Sequence, residues 1–127
     1  MLLRLYVAAA LLSLASPGCS QTGPGLPITP PATVQQQLTQ PNTVLLDVRS
    51  PEEFAAGHLT GARNLDFRAA DFAGQVARLD PNQTYVLYCA SGNRSGKAAV
   101  LMQGQGFTKV VNAGGFETLK SSGLPVQ

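Results

Sequence analysis

Cys89-Ala90-Ser91-Gly92-Asn93-Arg94-Ser95 gathers the most reactive residue types of this chain into one short segment. A cysteine acts as a nucleophile through its thiolate, and a thiolate forms readily only where positive potential surrounds the sulfur. The segment follows the apolar run Thr84 to Tyr88 and leads into the helix-forming stretch Ser95 to Gln105. A helix beginning there presents unpaired N–H groups and roughly half a unit of positive charge to whatever precedes it. Gly92 permits a tight turn, which aims further amides inward. Arg94 adds a planar fork able to pair with two oxygens of a tetrahedral anion. The expected chemistry is attack by a Cys89 thiolate, held in an anion cradle made by Ala90, Ser91, Gly92, Asn93, Arg94 and Ser95.

Such a cradle needs a sheet edge beneath it. Thr43 to Asp47 and Thr84 to Tyr88 are short aliphatic and β-branched runs without polar alternation, the pattern of strands buried on both faces of a parallel sheet. Lys109 to Asn112 is a third candidate. Ala98, Ala99, Val100, Leu101 and Met102 give the intervening helix a broad apolar face, and strand, helix, strand at this spacing is a parallel crossover unit. Ser50-Pro51-Glu52-Glu53 carries a capping box with proline at the first helical position, so a helix starts there and stops near Gly57. Further helices are expected over Thr33 to Gln40, Asp71 to Arg78 and Phe116 to Ser121, the last after a Gly114-Gly115 turn. The fold class is α/β, with a mostly parallel central sheet and helices on both faces. Ligands of such sheets bind beyond the carboxyl ends of the strands, where Cys89 lies.

The charges divide the chain. Arg4 is the only Asp, Glu, Lys or Arg before Asp47. Met1 to Arg4 and the unbroken apolar run Leu5 to Leu12 have the form of a secretion signal; the run is about half of the ~20 residues that span a bilayer. We expect residues 1–18 to be a signal peptide, 19–31 a Ser/Gly/Pro-rich tether and 32–127 the folded domain. Gly18-Cys19 resembles the end of a bacterial lipoprotein signal, which makes Cys19 a lipidation candidate, although Ser16 and Pro17 depart from the usual box. Cleavage without lipid and an unprocessed N-terminus are the alternatives. The expected location is the periplasm or cell envelope, with any membrane contact made through the lipid on Cys19. A Cys19–Cys89 disulfide is disfavoured because Cys19 sits at the processing site, which leaves Cys89 as a free thiol in an oxidising compartment.

Composition excludes several classes. With 127 residues, a net charge of +2 and 44% apolar content, the chain suits one globular domain and lacks the basic cluster of a nucleic-acid binder. Two cysteines and one histidine supply no zinc-ligand spacing, so no metal is expected.

Five stretches occur in a recognisable order. They are Leu46-Asp47-Val48-Arg49 with Pro51-Glu52-Glu53-Phe54, Gly57-His58-Leu59, Gly61-Ala62-Arg63-Asn64, Tyr88 to Ser95, and Val111-Asn112-Ala113-Gly114-Gly115. On these, the chain resembles a single-domain rhodanese, a sulfurtransferase, from about Ile28 to Val126. The resemblance implies that Cys89 takes a sulfane sulfur from a small sulfur-containing anion such as thiosulfate, or from a persulfide donor. The sulfur would then pass from a Cys89 persulfide to cyanide, a thiol or a protein. The amides from Ala90 to Ser95 would hold the persulfide's charge and Arg94 the oxyanion part of the donor, with no cofactor. Two alternatives stay open: a non-enzymatic binding, sulfur-carrier or redox-sensing module, and an arsenate reductase or phosphatase on a related fold. The latter place one residue more between Cys and Arg than the four found here, so the short loop favours sulfur.

One position departs from the resemblance. Many members carry a basic residue directly after the cysteine, where this chain has Ala90, which favours a neutral or protein-bound persulfide donor over thiosulfate. Lys97 is expected to be a solvated helix lysine. Asp47 and Arg49 should tie their loop to its neighbours, and His58 should order its turn by a hydrogen bond. Glu52 and Glu53 belong to a helix start, and Phe107 and Phe116 to packing.

Overall fold

The computed structural model describes residues 24–127. In chain order its elements are α1 (Pro31–Leu38), β1 (Thr43–Asp47), α2 (Pro51–Ala56), β2 (Arg63–Asn64), α3 (Phe72–Ala77), β3 (Thr84–Cys89), α4 (Asn93–Gly104), β4 (Val110–Gly115) and α5 (Phe116–Ser121). The strands form one sheet in the order β2-β1-β3-β4, and every neighbouring pair runs parallel.

Successive residues of the two central strands feed two separate cores, which is why neither strand shows polar alternation. Leu46, Tyr85, Leu87 and Cys89 pack with Phe72 and Val76 of α3 and with Ala98, Ala99 and Met102 of α4. Leu45, Val86 and Tyr88 pack on the other face with Val34 of α1 and Leu119 of α5. The sheet is therefore covered on both sides, as its composition requires.

Chain order reverses direction at β1: β2 lies on one side of it and β3 on the other. The carboxyl ends of β1 and β3 thus flank a topological switch point, the usual ligand crevice of an open α/β sheet. Asp47 pairs in register with Tyr88, so the residues after both strands emerge side by side. The Ser50 cap forms as expected: its side chain accepts from the Glu53 amide and the Glu53 carboxylate accepts from the Ser50 amide.

Several boundaries differ from expectation. The site helix begins at Asn93 rather than Ser95, because Gly92 adopts a left-handed conformation (φ 94°) that turns the strand straight into the helix. β4 continues through Gly114-Gly115 instead of turning there, pairing Gly115 with Cys89, and α5 follows at once. α1 starts two residues early, on Pro31 after Pro30, where a proline's missing N–H costs nothing. β2 escaped the sequence pattern because it has two residues; Asn64 fixes it by donating to the carbonyls of Asp47 and Arg49, both at 3.0 Å.

The expected tether overlaps the fold. The Leu26 amide donates to the Gly96 carbonyl (3.0 Å), the Thr29 amide to the Asn112 carbonyl (2.8 Å), and Ile28 forms a parallel bridge with Asn112. Part of the stretch read as flexible spacer is thus docked beside β4 and α4. Cys19 and the expected signal peptide lie outside the described residues, and no described helix is long and apolar enough to cross a membrane.

Candidate active site

Cys89 is the last residue of β3 and is wholly buried. Its sulfur accepts from the Gly92 amide at 3.0 Å, the Ser95 amide at 3.5 Å and the Ser95 hydroxyl at 3.4 Å. Burial pushes the Cys89 thiol up, but the Ser95 hydroxyl and the amides of Ser95, Ser91 and Gly92 outweigh it, and the net shift is downward. The cradle therefore stabilises the thiolate relative to that of an ordinary cysteine, the direction the Cys89-to-Ser95 pattern points to.

Ser95 is held from behind. Its single hydroxyl hydrogen has two acceptors to choose from, the Asn112 side-chain oxygen at 2.7 Å and the sulfur at 3.4 Å, and rotation of the hydroxyl serves one or the other. Asn112 is itself buried and fully engaged: its amide donates to the carbonyls of Leu26 (2.8 Å) and Gly92 (3.1 Å), and its oxygen also accepts from Gly114 (3.1 Å). Both amide hydrogens and both lone pairs are used, which fixes its orientation. One side chain therefore ties the docked N-terminal segment, the cradle turn, the first turn of α4 and the end of β4 together.

Ser95→Ala removes the hydroxyl from the sulfur and leaves the amides in place. The Cys89 pKa should rise, because a hydrogen bond that favours the charged form is lost. The pH dependence of iodoacetamide alkylation reads it; an unshifted midpoint would show that the backbone alone sets the thiolate.

Glycines shape the rest. A Cβ on Gly92 would meet the Ile28 side chain at 2.7 Å, on a backbone already at positive φ. A Cβ on Gly115 would stand 2.5 Å from the Ala90 carbonyl oxygen, so that strand passes directly against the cradle. Ser91 accepts from the Asn93 amide (3.4 Å), and the side chains of Ala90, Ser91 and Asn93 are exposed. These three shape the turn through the backbone.

Arg94 points across the switch point. Its two terminal nitrogens donate to the two carboxylate oxygens of Glu53 at 2.8 and 3.1 Å. The hydrogen bond from Arg94 holds the Glu53 carboxyl well down, at about 2, despite some burial. The pair is therefore ionised throughout the neutral range. Sequence reading assigned Glu53 to the helix cap alone; the structure shows the same carboxylate serving Ser50 and Arg94 together. The capping motif masked this second role, and nothing local to Glu53 reports a partner so distant in sequence. Asn112 likewise carries no local signal of its role, which depends on three segments meeting.

Residues expected to be structural behave so. Buried Asp47 and Arg49 form a bidentate pair, the Arg49 guanidinium donates to the Gly57 carbonyl (2.7 Å), and it lies 4.4 Å from the Phe116 ring centroid. His58 Nδ1 bonds the Phe54 carbonyl oxygen (2.9 Å) and its ring stacks on Phe54. Lys97 is exposed. No cluster able to hold a metal ion occurs among the described residues.

Comparison with known proteins adds three kinds of likeness. A family model described as Rhodanese-like domain matches residues 30–122. The chain is 38% identical over 95 residues to a thiosulfate sulfurtransferase GlpE of Pseudomonas putida, covering 73% of this chain and 84% of that one. Among solved structures, a rhodanese with anions from E. coli aligns at 32% identity and TM-score 0.57, over 67% of this chain and 96% of that one. A rhodanese-related protein from Thermoplasma volcanium aligns at 26% identity and TM-score 0.66, over 76% and 93% of the two chains.

Proposed function

The chain belongs to the rhodanese-like family, and from that premise we propose that it is a sulfurtransferase working through a persulfide on Cys89. The observation that carries the proposal is the sulfur of Cys89 held by the Gly92 and Ser95 amides and the Ser95 hydroxyl. The thiolate attacks the outer sulfur of a donor such as thiosulfate. A new S–S bond forms to Sγ, the donor's S–S bond breaks, and sulfite leaves with the electron pair. In the second step cyanide, a thiol or a protein thiolate attacks the persulfide's outer sulfur and the Cys89 thiolate is released. The donors that favour the thiolate also stabilise the persulfide anion, so one cradle serves both halves of the cycle.

Splitting the transfer in this way makes the kinetics ping-pong. Varying thiosulfate at several fixed cyanide concentrations should give parallel double-reciprocal lines; intersecting lines would require both substrates bound together and would overturn the persulfide route. Sulfur delivery to a wholly buried Cys89 also requires the rim of the cradle to move.

Ala90 supports one second reading, a sulfur carrier or redox-sensing module, because it removes a cationic contact that many members place beside the nucleophile. A persulfide that loads but is never released to cyanide or a thiol would favour it. On the same footing we propose export to the periplasm or cell envelope, with Cys19 as lipid attachment point. The charge-poor leader and its Gly18-Cys19 ending support that placement.

A further inference from the structure

Arg94 is the cation that the sulfurtransferase reading aims at an anionic donor, yet its outward fork is already filled. Both terminal nitrogens are spent on Glu53, and the Glu53 carboxylate is anchored a second time by the Ser50 amide at 3.2 Å. The anchoring matters because a carboxylate fixed at the start of α2 cannot simply swing into solvent when a donor arrives. Asp66 places a second carboxylate within electrostatic reach of the same guanidinium. Ala90 supplies no compensating cation. The nucleophile itself is a thiolate. The Arg94 guanidinium thus faces two carboxylates and the sulfur's own negative charge.

From this balance we infer that Glu53 is a specificity-determining residue: its carboxylate occupies Arg94 and selects against donors carrying two negative charges. The inference rests on the sulfurtransferase reading and deepens it. Thiosulfate brings two charges and must either displace Glu53 from the fork or accept an already neutralised guanidinium. An uncharged organic persulfide, RSSH, needs neither. The Cys89 thiolate attacks its outer sulfur, the S–S bond breaks, RS⁻ leaves with the electron pair, and the sulfur arrives as Cys89–S–SH. Charge and electrons balance without any oxidant or reductant, and the leaving thiolate takes its proton from water.

Glu53→Gln tests this with little disturbance, since glutamine also serves at the third position of a capping box. Single-turnover loading of Cys89 is followed by quenched-flow mass spectrometry, with thiosulfate and with hydroxyethyl persulfide as separate donors and no acceptor present. Removing one carboxylate charge beside a dianion should raise the thiosulfate-to-persulfide ratio of loading rates about tenfold. The neighbouring Glu52→Gln, an exposed carboxylate in the same helical turn, should change that ratio by less than about twofold. A ratio in Glu53→Gln that falls, or rises less than about threefold, overturns the charge filter and leaves Glu53 as a positioning residue for Arg94. Failure of the native protein to load with either donor would instead remove the sulfurtransferase reading itself.

Discussion

Cys89→Ser is expected to lower thiocyanate formation from thiosulfate and cyanide to below about 10⁻⁴ of the native rate. The size of the loss follows from the chemistry of the bond. Sulfur is stored on Sγ between the two half-reactions, and a serine hydroxyl, protonated at neutral pH, neither attacks a sulfane sulfur nor keeps it. The amides of Gly92 and Ser95 would still point at the oxygen, so stabilisation of charge survives while the nucleophile does not. The fold should survive too, because the two side chains differ by one atom and the serine keeps its hydrogen-bond donors. A denaturant midpoint near that of the native protein, together with lost turnover, is the combination to look for. Turnover above about one hundredth of native would place the sulfur on another atom.

Gly115→Ala is the second substitution with a large expected effect, and it acts without touching any reacting group. Gly115 has φ −99°, a conformation open to any residue, so the demand for glycine here comes wholly from close approach. The added methyl would sit 2.5 Å from the Ala90 carbonyl oxygen and 3.4 Å from the Ser91 Cα, atoms of the backbone that cannot rotate away. Either the end of β4 or the cradle turn must shift. Pairing between Gly115 and Cys89 resists separation of the strands, which directs the displacement into the turn carrying the Gly92 amide. Overpacking of this kind should cost about 1–3 kcal/mol of stability. A shift of the order of 1 Å at the cradle should reduce kcat/KM by about 100-fold. Chemical denaturation and steady-state kinetics check the two figures. A variant with native kcat/KM would mean that the cradle tolerates displacement and that its amides do not set the reactivity of Cys89.

The parts of the site legible in the sequence were those encoded within a few residues of one another. The Ser50 capping box, the bare apolar runs of β1 and β3, and the segment from Cys89 to Ser95 each announce themselves by local pattern. The sharp start of α4 at Asn93 also had a local cause, the left-handed Gly92, yet the first buried residues of that helix come only at Ser95 and Gly96, so a pattern read from burial starts it late. What stayed hidden was tertiary. Glu53 and Arg94 are brought together because β1 and β3 are neighbours at the switch point, and no spacing along the chain reports that. Asn112 joins Leu26, Gly92, Ser95 and Gly114, four contacts that bring together three segments, of which the one around Leu26 had the composition of a spacer. Glycine and proline content identified that stretch as short of a core of its own. It said nothing of backbone hydrogen bonds to Gly96 and Asn112 that need no particular side chain.

The most direct test of the central claim is the mass of the peptide containing Cys89 after incubation with a sulfur donor and again after addition of cyanide. The account predicts a gain of about 32 Da, one sulfur atom, on Cys89 with thiosulfate or an organic persulfide. The gain should then be lost with an equal amount of thiocyanate formed. No gain on Cys89 with either donor, or sulfur carried on a different residue while turnover proceeds, would contradict it.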